Sequence, residues 1–347
     1  MKNLTITTAI ALAALCGCDN LPKLHIYTWS DYYDPELLEQ FEKEHGCKVV
    51  IDTFDSNEAA FAKLKAGAVG YDIITPTSYI IPLMASNGII KPIDLSRLPN
   101  VAANLDHRYD HLIASTNLKW SVPYAFSMTG IMYRRDKLVN PPSGVVGWSF
   151  LFDGGWDGRI CMMNDHREVI GCALRELGFS ANSSAPSEIA AATELAKHWK
   201  TAVRKMDNEL YKNAIASSEM FAAMAYNSDA MQVMSEDDGV GFAIPQRTTC
   251  SFDEFCVSAT SRNEDLAYAF IDFFYSRENA ARNVEYIFTP MPVKGLNELV
   301  DSELKNRELA LPSDEVLSRC ETLDELGNEG NRLFNGAWDA IKAHRCR

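Results

Sequence analysis

The sequence predicts an α/β protein of two domains, on three observations. Between Leu24 and Thr75 short apolar strands alternate with amphipathic helices, a second alternation of the same kind begins at Trp148, and 347 residues are enough chain for two cores of ordinary size. No Pro/Ser-rich linker and no internal repeat separates the halves. Such a chain fits domains joined by more than one crossing strand better than beads on a string.

The elements follow in order. Residues 24–28 alternate as a strand. Asp34, Pro35 and Gly46 then supply an N-cap, a proline suited to the first helical position and a terminal glycine, for a helix whose apolar face holds Leu38 and Phe41. Residues 48–53 form a second strand, a helix carrying Phe61 and Leu64 runs from Asn57 to Gly67, and residues 71–75 are a third strand. In such a β-α-β-α-β unit the strands are parallel and ligands bind beyond their carboxyl ends, where residues 29–32 and 77–79 fall. Residues 120–133 read as extended chain, broken at Pro123 and Gly130. Beyond Trp148 the pattern predicts strands at 159–163, 220–226 and 240–244 and helices at 166–177, 186–204 and 209–219. Residues 254–260 read as a further strand, 264–275 and 277–287 as helices, and roughly the last 50 residues as helical.

Ahead of these elements, Lys2 and an uncharged apolar run over residues 4–15 have the form of a signal peptide, too short to stay as a membrane span. Leu15-Cys16-Gly17-Cys18 resembles a bacterial lipobox, with a cysteine where a small residue is usual. Residues 1–17 are therefore expected to be removed, Cys18 to carry lipid, and residues 18–23 to form a tether that holds the protein outside the cytoplasmic membrane. Ordinary secretion with loss of Cys18 is the alternative.

Composition narrows the function. With 47% apolar and 23% charged residues the chain is not disordered, and its formal charge of -14 argues against phosphate-bearing partners such as nucleic acid. Cationic small molecules suit that field better. Removing Cys16 and Cys18 from nine cysteines leaves seven, an odd number without C-x-x-C spacing, so neither a full disulfide framework nor a zinc ribbon is indicated. Buried thiols acting as small apolar residues are expected. The chain has no G-x-S-x-G, G-x-x-x-x-G-K-[ST] or H-E-x-x-H motif, and His107 and His111, flanked by Asp106 and Asp110, read as a solvated face. No cofactor, metal or catalytic group is expected.

An ordered series of phrases runs the length of the mature chain: Trp29-Ser30-Asp31-Tyr32, Tyr71-Asp72-Ile73-Ile74, Pro76-Thr77-Ser78-Tyr79, Pro92-Ile93-Asp94, Val122-Pro123-Tyr124, Asp165-His166-Arg167-Glu168-Val169 and Tyr226-Asn227-Ser228-Asp229-Ala230. Together they resemble the spermidine/putrescine-binding proteins of ABC transporters. The resemblance implies a two-lobed periplasmic-binding-protein fold of type II, with two α/β lobes joined by strands crossing near 126–130 and 251–254 around a ligand cleft. Residues 24–128 plus 253–298 would form the first lobe, and 129–252 plus 299–347 the second. It also implies a polyamine ligand and delivery to an ABC permease, with no enzymatic activity. The rival readings are a receptor for another cationic or amide-containing solute, and an enzyme on the same scaffold.

A polyamine is a methylene chain bearing ammonium groups, so its site needs carboxylates for the amines and aromatic faces along the chain. The resemblance puts Asp31, Asp165, Glu168, Asp229 and Asp253 at the amines, Trp29, Tyr32, Tyr79 and Tyr226 in the walls, and Ser30 and Thr77 as lesser polar contacts. Some of these residues have a second reading. Asp165 and Glu168 in D-x-x-E order equally form a capping box, and Phe126, a lining position in the family, equally packs within a crossing strand. Tyr226 stands where the family commonly carries tryptophan, Ser251 where it usually carries an aromatic and Thr289 where it commonly carries tyrosine.

Overall fold

The computed structural model describes residues 21–113, 118–138, 144–156, 158–208 and 210–344. The signal-peptide residues, Cys16 and Cys18 lie outside the described residues. Strand β1 (Lys23–Thr28) pairs in parallel with β2 (Lys48–Thr53) on one side and β3 (Ile73–Ile74) on the other. The helix between β1 and β2, Pro35–His45, is capped by the Asp34 carboxylate, which accepts from the Glu36 N–H, and closes on Gly46 at φ 58°, a left-handed conformation that glycine adopts without strain. Ser56 caps the Asn57–Lys65 helix through the Ala59 N–H.

The later strands are β4 (Val122–Arg134), β5 (Ile160–Met162), β6 (Val203–Met206), β7 (Ala222–Tyr226), β8 (Val240–Ala243), β9 (Thr248–Val257) and β10 (Cys320–Thr322). They run in the order β2-β1-β3-β9-β4-β7-β5-β6, with β8 on β4 and β10 on β9. β5, β6 and β7 make a second parallel group. The two long strands β4 and β9 join the groups: they pair antiparallel from Val122↔Phe255 to Met128↔Cys250, β9 continues onto β3, and β4 continues onto β7 and β8. This is the two-lobed α/β fold, with both crossing strands where the sequence places them. Gly130 allows β8 to lie on β4, since a Cβ there would stand 2.4 Å from the Phe242 ring and 2.8 Å from the Ala243 carbonyl oxygen.

Behind β4 and β9 the core is aromatic: Tyr33, Tyr124, Phe255, Phe270 and Phe274 are all buried, with Tyr124 and Phe255 at 4.2 Å between ring centres. In the second lobe Trp199 stacks on Phe152 at 4.5 Å, and the Gly327–Ala343 helix buries Phe334 and Trp338. Six described cysteines, 47, 161, 172, 250, 256 and 320, are free and buried. Among the described residues no helix is long and apolar enough to cross a membrane.

The structure departs from the sequence reading in four places. β9 begins at Thr248 rather than at 254; all of its residues are buried, so no alternation marks its start. The helix expected over 186–204 stops at Ala202 and yields to β6, where β-branched Val203 pairs with Ile160. The Asn227–Glu236 helix was not expected, and Cys320–Thr322, read as helical, is a strand completed only by its pairing with Thr248–Cys250.

Candidate ligand-binding site

The first lobe brings its residues to the cleft from three chain segments. β1 ends at Thr28, and the chain turns through Asp31 at φ 55°, leaving Ser30 and Asp31 exposed while Trp29 packs edge-on against Phe54 at 4.5 Å. The Tyr32 hydroxyl donates to Asp253 Oδ2. Thr77 Oγ1 donates to Asp253 Oδ1 at 2.6 Å, and the two residues also form a backbone bridge. Asn57, buried at the start of its helix, accepts from the Thr77 N–H and donates to Thr77 Oγ1 and to the Tyr79 hydroxyl, each at 3.0 Å. One carboxamide thus aims both the hydroxyl and the ring. Asp253 itself sits on β9, in the middle of the crossing.

The second lobe contributes the start of the His166–Glu176 helix. Asp165 is its N-cap, accepting from the N–H groups of Arg167 at 2.7 Å and Glu168 at 3.1 Å. Glu168 does not complete the capping box. Its Oε2 turns to the crossing strands and accepts from Thr129 Oγ1 at 2.7 Å and Thr249 Oγ1 at 2.6 Å. The two readings of D-x-x-E therefore divide: the acid at the first position caps, and the acid at the fourth is buried against the crossing strands.

Charge ties the two faces together. Burial pushes the Glu168 carboxyl up to about 7, with the Asp165 charge adding to the rise and the two threonine hydroxyls opposing it. Burial likewise pushes Asp253 up to about 6, against the pull of Thr77, Tyr32 and the Trp29 indole N–H, which stands outside good hydrogen-bond geometry. The Tyr226 phenol is raised by burial and then by Glu168 and Asp165 of its own lobe, with a smaller contribution from Asp253. Tyr79 is raised by burial and next by Asp165 across the cleft. The charge of Asp165 thus reaches Tyr79 of the first lobe, and that of Asp253 reaches Tyr226 of the second. Among the described residues neither Glu168 nor Asp253 forms an ion pair. Arg167, whose charge opposes the rise of Glu168, is held by the Asp324 carbonyl at 2.7 Å and Asn182 Oδ1 at 2.9 Å, with its guanidinium 5.5 Å from the Tyr79 ring centre.

Two residues singled out from the sequence are engaged by the protein itself. Phe126 is fully buried between Phe252 and Tyr109, at 5.0 and 5.3 Å between ring centres, which is the packing alternative. Asp229 has both oxygens engaged, by the Tyr211 hydroxyl and by Lys212 Nζ at 3.1 Å. Sequence reasoning missed Asn57, Thr129, Thr249 and Tyr211, which hold the acids and rings in place. Their partners lie between 18 and 81 residues away along the chain, so no local pattern announces them. His107 bonds to Asp110 at 3.1 Å, and no group of three or more metal-ligand side chains occurs among the described residues.

A sequence profile described as bacterial extracellular solute-binding protein matches residues 36–308. The chain belongs to that family. This solute-binding protein is 30% identical to a putrescine/cadaverine-binding protein of Pseudomonas aeruginosa, with 99% of each chain covered. It is also 30% identical to a spermidine/putrescine-binding periplasmic protein of Salmonella typhimurium, covering 97% of this chain and 96% of the relative. Its fold matches a spermidine/putrescine ABC transporter substrate-binding protein of Streptococcus pneumoniae at TM-score 0.82 and 28% identity, over 93% of this chain and 99% of that one. A lipoprotein of Treponema pallidum matches at TM-score 0.83 and 29% identity, over 92% and 99%.

Proposed function

We propose that this solute-binding protein is an extracytoplasmic receptor that captures a polyamine, spermidine or putrescine, between its lobes and delivers it to an ABC permease. One observation carries the reading: among the described residues buried Glu168 and Asp253 accept from hydroxyls and form no ion pair, with Trp29 and Tyr32 beside Asp253 and Tyr226 beside Glu168. Uncompensated buried carboxylates are costly. A ligand ammonium supplies the missing charge while the rings take up the methylenes. The names of the relatives support the same ligand class.

Three narrower elements belong to the proposal. The lobes comprise residues 24–128 plus 253–298 and residues 129–252 plus 299–347, and close on ligand by bending at β4 and β9. The protein binds and does not catalyse. In support, burial pushes the Cys161 thiol up to about 12 and the thiols of Cys172, Cys250 and Cys256 well above their ordinary value, away from the reactive thiolate. Cys18 carries a lipid that keeps the receptor at the membrane. Labelled palmitate entering the wild type and not Cys18→Ser is the expected result, and label in neither sinks the anchor.

Calorimetry with putrescine and spermidine, after a denaturing wash to strip carried-over ligand and refolding, tests the function. Saturable binding of at least one is expected. Refolded protein that binds neither overturns the polyamine reading.

A further inference from the structure

We infer that the protein prefers a triamine to a diamine, because an outer ammonium subsite lies past Tyr79, between Glu58 of the first lobe and Glu325 of the second. The inference rests on the polyamine reading of the cleft. A cavity of about 320 Å³ is lined there from both lobes, by the two acids and by Tyr79. Phe61 and Leu83 add apolar walls, so the pairing of carboxylates with apolar faces that suits a polyamine recurs in it. Among the described residues neither acid forms an ion pair: Glu58 accepts from the Tyr79 hydroxyl at 3.2 Å, and Glu325 from the Gly327 N–H at 2.8 Å. Both donors are neutral and leave the charges in place.

A chain of short contacts fixes how far this subsite lies from Asp253. Asn57 Nδ2 is 3.0 Å from both the Tyr79 hydroxyl and Thr77 Oγ1, and Thr77 Oγ1 is 2.6 Å from Asp253 Oδ1. Glu58 Oε1 therefore stands no more than about 12 Å from Asp253 Oδ1. With single bonds of about 1.5 Å, the outer nitrogens of extended spermidine are roughly 11 Å apart, so one ligand reaches both acids. Number then decides selectivity. Putrescine carries two ammonium groups, which Asp253 and Glu168 take, whereas spermidine brings a third. His166 and Arg167 also line the cavity. Burial lowers His166, leaving it neutral at pH 7, and the fixed Arg167 guanidinium repels an ammonium and so leaves it to the glutamates. Because Glu58 and Glu325 belong to opposite lobes, an ammonium between them holds the lobes together as well as the ligand.

Titration calorimetry with spermidine and putrescine on wild type, Glu58→Gln, Glu325→Gln and the double variant, beside thermal melts, tests this. Glutamine still accepts the Tyr79 and Gly327 hydrogen bonds and removes only the charge. Wild type is expected to bind spermidine roughly tenfold more tightly than putrescine. Each single variant should weaken spermidine roughly three- to fivefold, the scale of a solvent-accessible ion pair, and the double variant roughly tenfold. Putrescine should stay within about twofold of wild type throughout. An unchanged ratio of spermidine to putrescine affinity in the folded double variant overturns the inference, as does equal loss of both ligands or a wild type that binds putrescine alone. If instead folded wild type binds neither, the reading of the whole cleft fails and the subsite fails with it.

Discussion

Asp253 and Asp229 each give one carboxylate oxygen to a tyrosine hydroxyl, from Tyr32 and Tyr211 respectively, and differ in what meets the other oxygen. At Asp253 it is the neutral Thr77 hydroxyl, at 2.6 Å. At Asp229 it is the Lys212 ammonium, at 3.1 Å. A hydroxyl satisfies a lone pair and leaves the charge in place, whereas an ammonium also neutralises it. Asp253, on the crossing strand β9, thereby forms no ion pair among the described residues, and Glu168 between Thr129 and Thr249 forms none either, with only the more distant Arg167 charge opposing its rise. Asp229 is already supplied. Counting acids near a cleft therefore overstates the number available to a cationic ligand; their partners decide.

The largest test of this contrast removes the unpaired charges. Asp253→Asn and Glu168→Gln are each expected to cost about 2–5 kcal/mol of polyamine affinity, because a bound ammonium that loses its partner keeps its desolvation cost. Thermal midpoints should hold or rise, since each substitution deletes a buried charge. Calorimetry beside melts decides, and early melting with normal binding makes both acids structural.

The next effect is on pH dependence. Burial raises Glu168 to about 7 and Asp253 to about 6, so the empty protein holds these protons well above the ordinary carboxyl range. Ligand amines stay charged up to about pH 10, as lysine does, and need ionised acids. Affinity should therefore fall as pH drops from 8 to 5, by roughly tenfold for each unit of raised pKa that binding reverses. For the empty protein the sign is the opposite. The folded state binds more protons than the unfolded state, so the contribution of these groups to stability is fully present below about pH 4 and lost as pH rises through 6 and 7. The ligand-induced rise in thermal midpoint is thus expected to be larger at pH 8 than at pH 5, and equal rises would break the contrast.

The smallest effect sharpens it. Thr77→Val removes one of the two hydroxyl donors to Asp253 and should cost about 0.5–1.5 kcal/mol of affinity. It should also move the lower inflection of the affinity–pH curve upward, because a hydrogen bond that favours the ionised acid is gone. An unmoved inflection removes Thr77 from the site.

Much of the first lobe was legible in the sequence because its signals are local. A cap, a proline and a glycine bound the Pro35–His45 helix, alternation marks β1 and β2, and the carboxyl ends of parallel strands pointed to residues 29–32 and 77–79. The crossing strand β9 was half hidden, since a strand buried on both faces loses the alternation by which strands are recognised. β10 exists only through its partner. D-x-x-E illustrates the same boundary within four residues: the pattern specifies a helix start, and Asp165 fulfils it, but two threonines on distant strands turn Glu168 away from the helix end. The caps and alternation of the first strands and helices, set by local preference and apolar patterning, were determined by the sequence alone. Which carboxylates keep their charge for a ligand was decided by the tertiary structure, because a neutralising lysine or a neutral hydroxyl reaches its acid only after the chain has folded.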